Sequence, residues 1–304
     1  MAHVPAIIIS MNDTKAIGIR AAPAASLTNR VPPHAYFVVS AIFHYLGPSF
    51  AVLLFARIEP LGVAWLRIAS AAVVFAVWRR PWRYFGRLTP PERWTVVALG
   101  GVLAGMNSLF YLAIQQLPLG TVGAIEFLGP IGLAALGMRS VRNGLAMVTA
   151  VVGVYVLTDV RIAGAPLGYL FAFANCALFV VYIILGHRIS GNGGIDRLGI
   201  AMLIATVAAF PIGIGDAAPA FSDPVLLLAG IAVGISSSVI PYVTDQLAMA
   251  RLPRATFALL LSILPATATA IGLLVLKQVP SLPELFGIGL VMAGVALHRA
   301  RDVR

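Results

Sequence analysis

The sequence predicts an all-α membrane protein of ten transmembrane helices in two inverted five-helix repeats. Three observations carry this expectation. The 304 residues are 60% hydrophobic and only 11% charged, whereas soluble domains are about 25% charged, so the chain has too few polar groups to clothe a soluble surface. Ten windows are long and apolar enough to cross hydrocarbon, which takes roughly 20 residues each. The basic residues fall almost wholly on one side of the resulting alternation.

In chain order, residues 1–32 read as a polar cytoplasmic tail. The apolar stretch from Ala6 to Ile9 is interrupted by Asp13 and Lys15 too soon for a secretory signal. Span one, near 34–56, carries His44 and Pro48. Span two, near 60–79, carries Arg67 and ends among Trp78, Trp82 and Trp94, rings that favour the membrane interface. Span three, near 94–115, sets Gly100, Ala104, Asn107, Tyr111 and Gln115 on one helical stripe. Span four, near 119–138, holds Glu126 and Pro130. Span five lies near 142–158. Span six, near 165–186, places Asn175 and Tyr182 seven residues apart on one face and contains the single cysteine, Cys176. Span seven, near 198–215, contains Pro211, read as a packing kink. Span eight, near 224–248, lines up Gly234, Ser237, Ser238, Pro241 and Asp245. Span nine, near 254–276, offers Thr256, Ser262, Thr267 and Thr269. Span ten, near 281–298, carries Gly287 and Gly294, residues suited to packing helices within or between protomers.

With the N-terminus cytoplasmic, only Arg57, Arg161 and Lys277 fall outside, and Arg67 lies within a span. The other seventeen of the 21 Lys and Arg lie inside. Both ends are therefore expected in the cytoplasm, with residues 300–304 as a short tail. The net charge of +10 then belongs to cytoplasmic loops rather than to a nucleic-acid surface. The stretch Leu112-Ala113-Ile114-Gln115-Gln116-Leu117-Pro118 resembles Leu247-Ala248-Met249-Ala250-Arg251-Leu252-Pro253, and the register continues to Thr121 with Thr256 and Pro130 with Pro265. One copy joins spans three and four outside, the other spans eight and nine inside. Two units of five helices, 33–160 and 161–299, must then be inverted relative to each other, a plan that places a solute site near the midplane.

The chemistry concentrates at a few positions. A carboxylate inside a span costs about 2.5–3.5 kcal/mol on insertion scales, so Glu126 is a candidate to bind a solute or to couple protons; its bland alternative is an ion-pair partner for Arg67. A proline ring leaves the carbonyl four residues earlier without its helical donor, which frees His44, Glu126, Val207, Ser237 and Leu261 at Pro48, Pro130, Pro211, Pro241 and Pro265. Unsatisfied backbone at membrane depth is tolerated against protein or water, so His44, Glu126 and Ser237 point to a cavity. His44 is either a solute or proton group or a satisfied structural histidine. Arg67 has three readings: a structural ion pair, which is the expectation, a binder of a substrate carboxylate, or a snorkelling side chain. Asn107 and Asn175 are amides in need of several partners. Asp245, close in sequence to Arg251 and Arg254, reads as a gate or surface ion pair.

The stretch Gly105-Met106-Asn107-Ser108-Leu109-Phe110-Tyr111-Leu112-Ala113-Ile114-Gln115, followed by Pro118-Leu119-Gly120 and then Ala124-Ile125-Glu126-Phe127-Leu128-Gly129-Pro130, resembles the signature of EamA-type carriers of the drug/metabolite transporter superfamily, closest to its threonine/homoserine exporter group. Leu66-Arg67, Tyr182-Ile183, Gly186-His187-Arg188, Ser237-Ser238, Pro241-Tyr242 and Arg251-Leu252-Pro253 extend the resemblance. It implies ten helices in two inverted repeats in the inner membrane, export of small amino acids or related polar metabolites, and site positions at Arg67, Asn107, Tyr111, Glu126, Tyr182 and Tyr242. Two departures stand out: Leu264 precedes Pro265 where the exporter group has Glu, and Phe179 occupies a position expected to be Trp.

Together these readings make Glu126, Asn107, Tyr111, Arg67, His44, Asn175, Tyr182, Ser237 and Tyr242 the substrate-binding candidates, with Glu126 the proton-coupling one. The expected partners are a small-molecule solute, the lipid bilayer and protons. No cofactor or metal is expected. Export of other metabolites, including aromatic or purine compounds, is the neighbouring alternative. The alternative of a different class is an intramembrane enzyme with Ser236 to Ser238 as candidate nucleophiles, which ranks lower because His44 belongs to a distant segment, no Gly-x-Ser-x-Gly frames the serines and no His-Glu-x-x-His occurs. No P-loop ending is present, so drive is expected from gradients or from another protein.

Overall fold

The computed structural model describes residues 32–137, 140–159, 165–189, 193–249, 251, 260 and 263–297. The two terminal tails, Thr256, Ser262, Arg139, Arg161, Arg254 and the second copy of the repeated motif beyond Arg251 lie outside them. Among the described residues the chain is helical: α1 Pro33–Leu54, α2 Pro60–Arg79, α3 Trp82–Phe85, α4 Pro90–Gln116, α5 Leu119–Gly137, α6 Val141–Asp159, α7 Pro166–Ile189, α8 Gly194–Gly213, α9 Ala218–Ser222, α10 Pro224–Gly234, a π-helical segment Ile235–Val239, α11 Ile240–Met249, α12 Leu264–Leu276 and α13 Leu282–Leu297.

Among the described residues, six helical stretches are long and apolar enough to cross a membrane: His34–Leu54, Pro60–Arg79, Pro90–Gln116, Pro166–Gly186, Gly194–Gly213 and Pro224–Asp245. Four shorter apolar helices accompany them, at Leu119–Gly129, Val141–Leu157, Leu264–Leu276 and Leu282–Leu297. Every expected span thus contains a helix. The eighth expected span is not one regular helix but α10, the π segment and α11 in sequence. The chain is a multi-pass membrane protein. Its outer surface agrees: Val77, Leu274, Val207, Leu228 and Phe286 are all exposed, which is what lipid-facing helices present.

Helix ends follow local rules. Pro60, Pro90 and Pro224 open α2, α4 and α10, where a missing N–H costs nothing. Thr89 and Glu92 form a capping box on α4, and Ser281 with Glu284 does the same for α13, Glu284 accepting from the Ser281 amide at 2.8 Å. Asp223 caps α10 by accepting from the Val225 amide at 2.9 Å. Gly193 precedes α8 at φ 93°, a conformation open mainly to glycine.

Packing is set by small residues. In the α6–α13 pair, a Cβ on Gly153 would stand 2.7 Å from the Gly287 carbonyl oxygen, and one on Gly294 would stand 2.7 Å from that of Ala146. Gly287 and Gly294 therefore pack helices within the protomer, letting backbones approach closely. The other principal contacts are α4 with α7 and α8, α2 with α8 and α10, α1 with α11 and α12, and α5 with α7 and α12. Arg79 binds Asp196 through two hydrogen bonds of 2.9 and 3.0 Å, and Arg197 pairs with Glu92, joining the ends of α2, α4 and α8. Arg57 pairs with Asp223 at 3.3 Å, and the side chain of Gln278 accepts from the Leu119 amide at 3.1 Å.

Candidate solute site

Arg67, on α2, is buried at 6% exposure. Its Nε donates to the Ser238 hydroxyl at 2.9 Å and its Nη2 donates to the Ser237 carbonyl at 2.9 Å. That carbonyl is the one whose α-helical donor is missing at Pro241. The broken backbone is thus answered by a guanidinium from another helix. The expected ion pair of Arg67 is not formed: among the described residues no carboxylate oxygen lies within salt-bridge distance of it. The physical reason is local, since a carbonyl and a hydroxyl already satisfy that edge of the guanidinium. Its carbon also lies 5.5 Å from the centroid of the Tyr111 ring, within cation–π range.

The close approach of these elements depends on two glycines. A Cβ on Gly47 of α1 would overlap the Ser237 hydroxyl and stand 2.7 Å from the Ser237 amide nitrogen. A Cβ on Gly234 would overlap the Ser70 hydroxyl and stand 2.7 Å from the Arg67 carbonyl oxygen. Only bare backbone fits at either place. A π turn at such a point is a common companion of functional sites.

Glu126, on α5, is 4% exposed and faces the protein rather than lipid. Asn175 on α7, fully buried, donates from Nδ2 to Glu126 Oε1 at 3.2 Å. The second carboxylate oxygen, Oε2, and the Asn175 Oδ1 are buried without hydrogen-bond partners. The same holds for the hydroxyls of Tyr45, Tyr111 and Ser237. The Tyr111 and Ser237 hydroxyls face each other and Arg67 without meeting hydrogen-bond geometry. Buried polar atoms are nearly always satisfied, and each orphan costs about 1–3 kcal/mol. Five of them gathered from α1, α4, α5, α7 and the π segment offer a polar guest both acceptors and donors.

A third group is aromatic. Phe179 stacks on Tyr182 at 5.9 Å between centroids and 11° between planes. Tyr182 lies 6.4 Å from Tyr242, and Phe127 lies 6.4 Å from Phe179. Tyr242 lies near the Asn107 amide and within Coulombic range of Arg67, Glu126 and Asp245, so the three groups share one neighbourhood. Asn107 itself is 2% exposed and returns one hydrogen bond to its own helix, Nδ2 donating to the Leu103 carbonyl at 2.7 Å. His44 packs edge-on against Tyr45 at 5.1 Å and lies within range of Arg67.

All nine expected site residues therefore fall in this interior region. Tyr45 is the member that sequence reading missed. A Cβ on Gly123, one turn before Glu126, would stand 3.0 Å from the Tyr45 hydroxyl oxygen, a proximity between two helices that nothing in the sequence signals. Asp245 is half-buried and lies within electrostatic range of Tyr242, while Arg251 places its guanidinium 4.7 Å over the Tyr36 ring. Leu264, which precedes Pro265, is buried in the apolar core. A separate cavity of about 140 Å³, lined by Pro118, Thr121, Thr269, Gln278 and Glu284 among others, contains none of the nine. Among the described residues no three His, Cys, Asp or Glu gather as metal ligands.

Comparison with known proteins agrees with this architecture. Residues 166–299 match the EamA-like transporter family. The chain is 33% identical over 254 residues to the threonine/homoserine exporter RhtA of Escherichia coli K12, covering 81% of this chain and 84% of that protein. It is 34% identical over 239 residues to RhtA of Salmonella typhimurium LT2, covering 76% and 79%. A solved crystal structure shares the fold with a TM-score of 0.58, covering 87% of this chain and 97% of the other at 18% identity. With relatives this similar over most of their length, the chain belongs to the EamA-like transporter family.

Proposed function

We propose that this protein is a secondary carrier that exports threonine- or homoserine-like small amino acids, or related polar metabolites, from the cytoplasm across the inner membrane by proton antiport. The observation that carries the reading is Glu126: an intramembrane carboxylate held inward by Asn175, with one oxygen uncommitted, among tyrosines and Arg67. Intramembrane ionisable groups of this kind mark ion and substrate pathways. The exporters named above supply the substrate class.

We read the ten helices as two inverted repeats, 33–160 and 161–299. Counting the α10–π–α11 unit as one span, the helix contacts support this. α4 packs on α7 as the eighth span packs on α1; α4 packs on α8 as the eighth span packs on α2; α5 packs on α7 as α12 packs on α1. Each pair exchanges when a helix is replaced by the one five positions on. The proposed sidedness, with both termini cytoplasmic, has parallel support. Arg79 meets Asp196 and Arg197 meets Glu92, all assigned inside, while Arg57 meets Asp223 and Gln278 meets Leu119, all assigned outside. Alternating access would then be rocking of the two repeats about the Glu126 region.

The test is export by purified protein in proteoliposomes carrying an imposed pH gradient. Wild type is expected to move labelled threonine or homoserine against its gradient, and counterflow to exchange labelled for unlabelled solute. Glu126→Gln, similar in shape but not ionisable, is expected to lose uphill transport. A variant with wild-type uphill export and an unchanged pH profile would remove Glu126 from the mechanism.

A further inference from the structure

We propose that the π segment is the positioning device for a carboxylate subsite built on Arg67, so that the site takes a zwitterionic α-amino acid in one orientation. The proposal rests on the amino-acid-export reading and deepens it. A guanidinium has five N–H donors in a planar fork. Two are committed, Nε to the Ser238 hydroxyl and one Nη2 hydrogen to the Ser237 carbonyl. These lie on the same side-on edge. The end-on edge, made by Nη1 and the second Nη2 hydrogen, is left to bind a carboxylate in bidentate fashion, the geometry that guanidinium matches best.

The Tyr111 hydroxyl lies close to both Arg67 and the Ser237 hydroxyl, and these two hydroxyls, both buried, are further donors whose hydrogen-bond geometry is unmet. The acceptors lie elsewhere in the cluster: Glu126 Oε2 and Asn175 Oδ1, likewise buried and unpartnered. Donors gathered at Arg67 and acceptors gathered at Glu126 are the complement of a carboxylate and an ammonium. A neutral or singly charged solute would leave one half of this array unsatisfied, which is how polar sites reject analogues that lack a group.

Pro241 has a defined part in this arrangement. Lacking an N–H, it leaves the Ser237 carbonyl open to Arg67. An alanine there would supply a competing backbone donor within the helix. Pro241→Ala should therefore loosen the pinned edge of Arg67 without removing any group that touches the substrate.

The experiment compares export of L-threonine and L-threonine amide, which keeps the ammonium and loses the carboxylate. Wild type should favour the acid by about tenfold or more, the worth of a charged hydrogen-bonded pair. Arg67→Lys should bring that preference close to unity. Pro241→Ala and Ser238→Ala should reduce it by raising KM for threonine while leaving KM for the amide nearly unchanged, and the Pro241→Ala protein should melt no lower than wild type. Glu126→Gln should weaken both compounds and keep their ratio. A purely structural role for the π segment would shift stability or both KM values together. Threonine export by wild type with the preference retained in Arg67→Lys or in Pro241→Ala overturns the subsite assignment alone. A wild type that moves no amino acid overturns the export reading on which it stands.

Discussion

Replacing Gly47 by alanine tests whether the approach of α1 to the π segment is as tight as the site requires. The new Cβ would overlap the Ser237 hydroxyl oxygen and lie 2.7 Å from the Ser237 amide nitrogen. The hydroxyl can rotate away, but the backbone cannot, so the two elements must separate by several tenths of an ångström. Overpacking of this kind costs about 1–3 kcal/mol. At roughly 2–4 °C per kcal/mol for a chain of this order of size, the melting temperature in detergent should fall by several degrees. The displaced segment carries both acceptors that hold Arg67, each at 2.9 Å, so KM for threonine should rise as well. Fluorescence-monitored melting and proteoliposome kinetics measure the two effects. A melting temperature within about one degree of wild type together with an unchanged KM would refute the packing argument, because it would mean that a side chain fits where backbone contact is required.

Two other substitutions separate packing from surface charge. Gly287→Val on α13 drives two methyl groups towards the Gly153 carbonyl oxygen, which lies 2.8 Å from the place a Cβ on Gly287 would take; thermal stability should drop by more than for Gly47→Ala, read by loss of monodisperse protein on heating. Arg57→Ala removes an exposed ion pair with Asp223, and its stability change should stay within about 1 kcal/mol, read by the same melting assay.

The parts of this molecule legible in the sequence are those fixed by solvent. Twenty-residue apolar windows, the clustering of arginines and the cost of a lipid-buried carboxylate are one-dimensional facts with a physical cause, and they located a helix in every expected span and the inward-facing Glu126. The open carbonyl at Ser237 was equally legible, since proline chemistry is local. Its partner was not. Arg67 and Ser237 are 170 positions apart, and nothing in either neighbourhood says that a guanidinium will prefer a carbonyl and a hydroxyl over an acid. The pairing of Asn175 with Glu126 and the arrival of Tyr45 beside Gly123 share that property. Because water and lipid partition each residue separately, composition and pattern along the chain suffice to make this a multi-pass helical membrane protein holding polar groups at depth. Tertiary structure alone decided which polar groups meet, because close approach depends on glycines and proline breaks in helices remote along the chain.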